Sequence, residues 1–170
     1  MPWHPAYVGL GSNLEEPARQ VGRALKALSG LPETQLCRRS SLYGSRPLAG
    51  LAQPDYVNAA AELLTRLEVH PFFDALRTLE IRLGRPVSRE RWGPRCIDLD
   101  LLLFGELQLT EGALRLPHPG MFTRNFVLYP LAELAPELTI AGHGRVVDLA
   151  ARVGRDGIWP LEDVEAGRGE

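Results

Sequence analysis

Asp98 and Asp100 stand one residue apart in an apolar run, RWGPRCIDLDLLLFG over residues 91–105. In a β-strand both would leave the same face, with roughly 7 Å between their Cα atoms, while Ile97, Leu99, Leu101 and Leu103 face the other way into a core. Two such carboxylates repel and stay ionised together only beside a cation. A pair of magnesium ions about 3.5–4 Å apart would fit this spacing and could clamp a phosphate chain. Arginines, or water at a strand end, could hold the pair instead. D-x-D alone is too short to choose.

The neighbours add a second kind of group. Arg85, Arg89, Arg91 and Arg95 lie in or beside a loop that also carries Gly84, Pro86, Gly93 and Pro94. Guanidinium forks bind phosphate oxygens in bidentate fashion. A solvated basic loop anchored by Trp92 is the plainer reading. Carboxylates for metal and arginines for phosphate within 16 residues together favour a triphosphate site.

Three further groups are candidates. His118, set between prolines, and Arg124 follow a hairpin that starts from the aspartate strand and could return to the same cleft. Tyr56 and Asn58 share one strand face, where a ring and an amide suit a flat heterocycle, although a core tyrosine and an edge asparagine would look the same. Glu80 has Arg77 three residues before it on one helix, so an ion pair explains it as well as a role at the site does.

These residues need a frame. A short strand at 6–11 precedes a helix from about Glu15 to Ser29, with Val21, Ala24, Leu25 and Leu28 on one stripe; Asn13 is placed to cap it and Gly30 to end it. Residues 34–45 and 54–66 read as strands, and a second helix runs from Pro71 to Leu83, burying Phe72, Leu76, Leu79 and Leu83. The aspartate strand spans 95–104, a hairpin 105–117, and a helix opens at FVLYPLAELAP. The order β-α-β-β-α-β predicts an α+β, ferredoxin-like core: a mainly antiparallel sheet flanked by helices, with a C-terminal extension whose polar tail, 151–170, is ordered only around Trp159.

The chain of 170 residues suits one domain spanning 1–170. Its net charge of −2 gives no global attraction to nucleic acid or anionic membrane. Of its 19 basic residues only Lys26 is a lysine, which reads as a composition bias. Cys37 and Cys96 are expected as buried thiols in strands, with no metal spacing. No apolar run approaches the ~20 residues of a membrane span, and the N-terminus lacks a signal-peptide pattern. A soluble, cytoplasmic protein is expected.

Five blocks together resemble the 6-hydroxymethyl-7,8-dihydropterin pyrophosphokinase family: GSNL at 11–14, QPDYVNAA at 53–60, the 91–105 run, LPHPGM at 116–121 and RNFVLYPLAELAPEL at 124–138. The resemblance covers about residues 6–150. It implies transfer of the β,γ-pyrophosphoryl group of ATP to the pterin hydroxymethyl oxygen, with release of AMP, in folate biosynthesis. It also implies two magnesium ions on Asp98 and Asp100, small-molecule substrates only, and a monomer.

The resemblance further implies that Arg85, Trp92 and Arg95 belong to a loop closing over ATP, with Arg85 and Arg95 catalytic. Leu101, His118 and Arg124 would contact ATP. Tyr56 and Phe126 would sandwich the pterin, Asn58 would hydrogen-bond its edge, and Gly11, Ser45, Pro47 and Leu48 would line its pocket. Glu80 matches an acidic position near the site. Family members often carry an arginine where this chain has Val87, and Arg89 is the candidate substitute. Pro119 replaces a frequent tyrosine, and Arg77 a frequent glutamine. Two rivals fit part of the pattern: a nucleotidyltransferase, which would release pyrophosphate, and a ferredoxin-like RNA-binding domain, whose phosphates the aspartates would repel.

Overall fold

Alternating apolar residues build one sheet, and apolar stripes lay helices on both of its faces. The computed structural model describes residues 2–14, 16–47, 52–84 and 97–161. The first half of the chain is β1 (His4–Ser12), α1 (Pro17–Leu28), β2 (Thr34–Arg39), β3 (Tyr43–Ser45), β4 (Tyr56–Thr65) and α2 (Val69–Arg82). Next come β5 (Asp98–Phe104), the hairpin β6 (Leu109–Glu111) and β7 (Leu114–Leu116), and a 3-10 turn at Pro119–Thr123. The chain continues with α3 (Asn125–Leu134), β8 (Thr139–Ile140), β9 (Gly144–Arg145), α4 (Val146–Val153) and β10 (Ile158–Pro160).

The main sheet runs β10-β3-β4-β1-β5, with β2 also on β4, and every pairing in it is antiparallel. This is the ferredoxin-like arrangement expected from the element order. On one face α1 and α2 bury Val21, Leu25, Leu28, Phe72 and Leu76 against Val8, Leu10, Leu63, Leu99 and Leu101. On the other, Leu128 and Leu131 of α3 and Val146 and Leu149 of α4 cover Tyr7, Ala60, Leu102 and Leu103.

Several expectations are corrected. The strand read over 34–45 is two strands, because four steps from Arg39 to Tyr43 face three from Ala61 to Asn58 on β4. Ser40 bridges the break: its N–H donates to Ala60 O (2.9 Å), and its Oγ accepts from Ala60 N (2.9 Å). Leu103 does not share a face with Leu99. Tyr7 pairs with Leu103 and Val8 with Leu101, so Leu102 is an extra residue, a β-bulge that reverses the alternation beyond it.

Asn13 does not cap α1. Its Nδ2 donates to Gln53 Oε1 (2.9 Å) and Pro54 O (3.3 Å), tying the end of β1 to the loop before β4. Cys37 is exposed, because it is the extra residue of a bulge in β2, between Leu36 opposite Leu63 and Arg38 opposite Glu62; Cys96 lies outside the described residues. The C-terminal extension is more regular than its polarity suggested. Residues 151–153 complete α4, and Trp159 sits in β10, a sheet strand.

Candidate active site

The floor of the site is made by missing side chains. Gly11 pairs with Asn58 on one side and Asp98 on the other, and Gly9 pairs with Ala60 and Asp100. These positions of β1 share the sheet face of the aspartates, so a trough opens between β4 and β5. At Gly11 the trough has no spare room, since a Cβ there would meet Asn58 Oδ1 at 3.3 Å. Above it lies a cavity of about 280 Å³.

Much of the set expected from sequence converges on this cavity. Gly11, Ser45, Pro47, Tyr56, Asn58 and Phe126 line one part, and Asp98, Asp100, His118 and Arg124 another. Gly9, Arg46, Gln53 and Val127 also line it, and sequence reasoning had passed over them. Gly9 had a visible signal: in GLG it stands two residues from Gly11 and shares its face. Leu48, Arg85, Arg89, Trp92 and Arg95 lie outside the described residues. Leu101 turns its side chain into the opposite core, where it is buried.

Asn58 is held rigidly on the inner wall. Its Nδ2 donates to Ser45 Oγ (2.8 Å) and more weakly to Tyr43 O (3.4 Å), which leaves its carbonyl oxygen on the Gly11 side. A ligand edge reaching the trough therefore meets a fixed acceptor. The hairpin β6–β7 returns His118 beside β5, where its N–H donates to Leu102 O (2.9 Å). Nδ1 of His118 accepts from Gly120 N (3.1 Å), which places the proton of the neutral ring on Nε2. Burial lowers the pKa of this imidazole, against the raising effect of Asp100. The ring is thus a neutral donor. Gly120 also makes room for Arg124, whose Cζ would lie 2.9 Å from a Cβ at that position.

The carboxylates are under electrostatic tension. Burial raises the pKa of Asp100, the charge of Asp98 raises it further, and His118 and Arg124 pull it back. Glu80 stands behind them, buried on α2. Its Oε2 accepts from Leu99 N (2.7 Å), between the two aspartates, and its Oε1 accepts from Arg77 Nη1 (3.1 Å). The ion pair expected from the helix spacing is present, and the same carboxylate also fixes the outer edge of the aspartate strand.

A family model described as 7,8-dihydro-6-hydroxymethylpterin-pyrophosphokinase (HPPK) matches residues 7–136. The chain belongs to this family. The chain is 48% identical over 155 residues to the 2-amino-4-hydroxy-6-hydroxymethyldihydropteridine pyrophosphokinase of Pseudomonas aeruginosa, covering 91% of this chain and 95% of that one. It is 43% identical over 144 residues to the Haemophilus influenzae protein of the same name, covering 85% and 89%. Among solved structures, the HPPK-DHPS A437G protein of Plasmodium falciparum matches with a TM-score of 0.69 at 11% identity, over 89% of this chain. That likeness shows the fold alone, and this chain spans 43% of that longer one. An HPPK is a pyrophosphokinase of folate biosynthesis, and this chain has that activity. The nucleotidyltransferase and RNA-binding readings fall away. Among the described residues no helix is long and apolar enough to cross a membrane.

Proposed function

We propose that the cavity is where ATP and 6-hydroxymethyl-7,8-dihydropterin meet, the pterin on the Tyr56–Asn58 side and the triphosphate between the aspartates, His118 and Arg124. One observation carries this: a flat-ring wall and a charged wall face each other across one trough floored by Gly9 and Gly11.

The family depends on magnesium, and the donor set fits it. Asp98 and Asp100 offer hard oxygen ligands from alternate positions of one strand, and their mutual repulsion calls for a countercharge. Among the described residues no group of three or more acidic, histidine or cysteine side chains forms a complete metal cluster. Positions left open by the two aspartates suit phosphate oxygens and water. We assign two ions to the pair. When bound, magnesium neutralises the triphosphate and lowers the pKa of the pterin hydroxyl.

The chain's own part is alignment. Asn58 and the rings of Tyr56 and Phe126 hold the heterocycle so that its hydroxymethyl oxygen faces the β-phosphorus. A new O–P bond forms there as the bond from that phosphorus to the α-phosphate oxygen breaks; AMP leaves with that oxygen, and the hydroxyl proton is released to solvent. His118 donates from Nε2 to a phosphate oxygen, and Arg124 adds a fixed positive charge. Arg85, Arg95 and Trp92, beyond the described residues, are assigned to ATP through the family resemblance, with Arg89 as the substitute at Val87. Residues 1–170 are taken as one catalytic domain acting as a monomer.

The test is to incubate the protein with ATP, magnesium and the hydroxymethyl dihydropterin and identify the nucleotide released. AMP that appears only with the pterin supports the reading. Pyrophosphate release, or full activity in Asp98→Ala, sinks it.

A further inference from the structure

α3 is tied directly to the start of β3 at its far end, where the Glu133 carboxylate accepts from Ser41 N (3.0 Å), Ser41 Oγ (2.8 Å) and Tyr43 Oη (2.6 Å); the two walls nearest the pterin side lie at the opposite ends of these elements. One is the first turn of α3, where Arg124 and Phe126 flank Asn125. The other is Ser45–Pro47, at the end of β3. Both are tied to the same short segment, 154–161, which lies outside the region matched by the family model.

Asn125 Nδ2 gives its hydrogens to Gly154 O (3.0 Å) and Asp156 O (2.8 Å). On the opposite side Arg46 N donates to Gly157 O (3.1 Å), and Leu161 N donates to Leu42 O (3.0 Å). Between these ties β10 pairs with β3, setting Ile158 against Ser45 and Trp159 against Gly44. The indole of Trp159 lies so close over Gly44 that a Cβ there would overlap it. Arg155 reaches back to α3, with its guanidinium 5.3 Å from the centre of the Tyr129 ring.

We propose that residues 154–161 form a clamp that sets the distance between the α3 wall and the β3 wall, with Asn125 as its positioning residue. Asn125 is not among the residues that line the cavity. It fixes the start of α3 and through it the aim of Phe126, while β10 fixes Ser45 and hence the amide of Asn58. The clamp tunes the width of the slot that receives the heterocycle. This rests on the assignment of that slot to the pterin.

Two measurements on Asn125→Ala test it: equilibrium binding of the hydroxymethyl pterin with magnesium and a non-hydrolysable ATP analogue present, and hydrogen exchange of the unliganded protein. Pterin affinity should fall about tenfold, binding of the magnesium–nucleotide complex by less than about threefold, and amides of residues 43–46 and 157–161 should exchange faster. Asn125→Ser keeps one donor and should fall between Ala and the natural residue, and it serves alone if the alanine variant does not fold. Pterin affinity within twofold of the natural protein, or equal loss for both ligands, overturns the clamp as a positioning device. If the natural protein binds no pterin, the assignment of the slot fails instead. Hydrogen exchange then decides the clamp, and unchanged exchange at 43–46 overturns it.

Discussion

The two faces of the sheet receive opposite treatment from the same strands. Under α1 and α2 the middle of the sheet is apolar, with Val8, Leu10, Leu99 and Leu101 fully packed. Under α3 and α4 only one end is packed, by Tyr7, Ala60, Leu102 and Leu103. At the other end, the same positions of the alternation carry Gly9, Gly11, Asn58, Asp98 and Asp100, and they line a cavity. Thus the closed face stabilises the fold, and the half-covered face is left polar and open for chemistry. Stability and function share each strand but not the same side chains.

Substitutions that separate the faces make this contrast testable. The largest effect is expected on the open face: Asp100→Ala should lower kcat/KM for AMP release by about 10³-fold while leaving the melting temperature unchanged or raised, because a like-charge repulsion is removed. An equal loss of activity and stability would erase the contrast. One residue away, Leu99→Ala should cost about 2–5 kcal/mol in urea denaturation and leave the folded fraction active within a few-fold.

Smaller effects sharpen the picture. A Cβ at Gly9 meets only ordinary contacts with Leu102 at 3.5 Å, so Gly9→Val should fold yet fill the floor, lowering kcat/KM by about tenfold in steady-state assays. The smallest effect belongs to the packed end. Burial, and then the hydrogen bond to Glu62 (2.9 Å), push the Tyr7 phenol up to about 12. Its folded pKa lies above its unfolded value near 10. The contribution to stability is therefore complete below pH 10 and is lost as pH rises toward 12. Denaturation midpoints between pH 8 and 11.5 should fall less steeply in Tyr7→Phe than in the natural protein.

Where function follows the local alternation of a strand, it was readable in the sequence. Asp98 with Asp100 and Tyr56 with Asn58 face as their spacing required, and the helical stripes of α1 and α2 are the buried ones. Reading failed where a long-range partner decided the outcome. Asn13 resembles a helix cap, but Gln53 and Pro54 take its amide. Leu103 is on the wrong face for a regular strand because β1 sets the register on either side of a bulge. Cys37 is apolar enough to bury, yet the pairing with β4 makes it the extra residue of a bulge. The role of Asn125 was invisible, because its partners are backbone carbonyls of residues 154 and 156.

The bulge in β5 makes the strand forgiving to a change in length at one place. Leu101, Leu102 and Leu103 are identical, and the ladder with β1 resumes on both sides of them, Asp100 opposite Gly9 and Phe104 opposite Ala6. Removal of any one of these leucines yields the same shortened sequence. It also restores strict alternation between fixed ends, so both aspartates stay above the glycine floor and Phe104 stays in its core. A deletion on the other side of Asp100, at Leu99, has no such remedy, because it would swing one carboxylate into the packed face. The leucine run is therefore a joint in which an indel is absorbed before it reaches the chemistry.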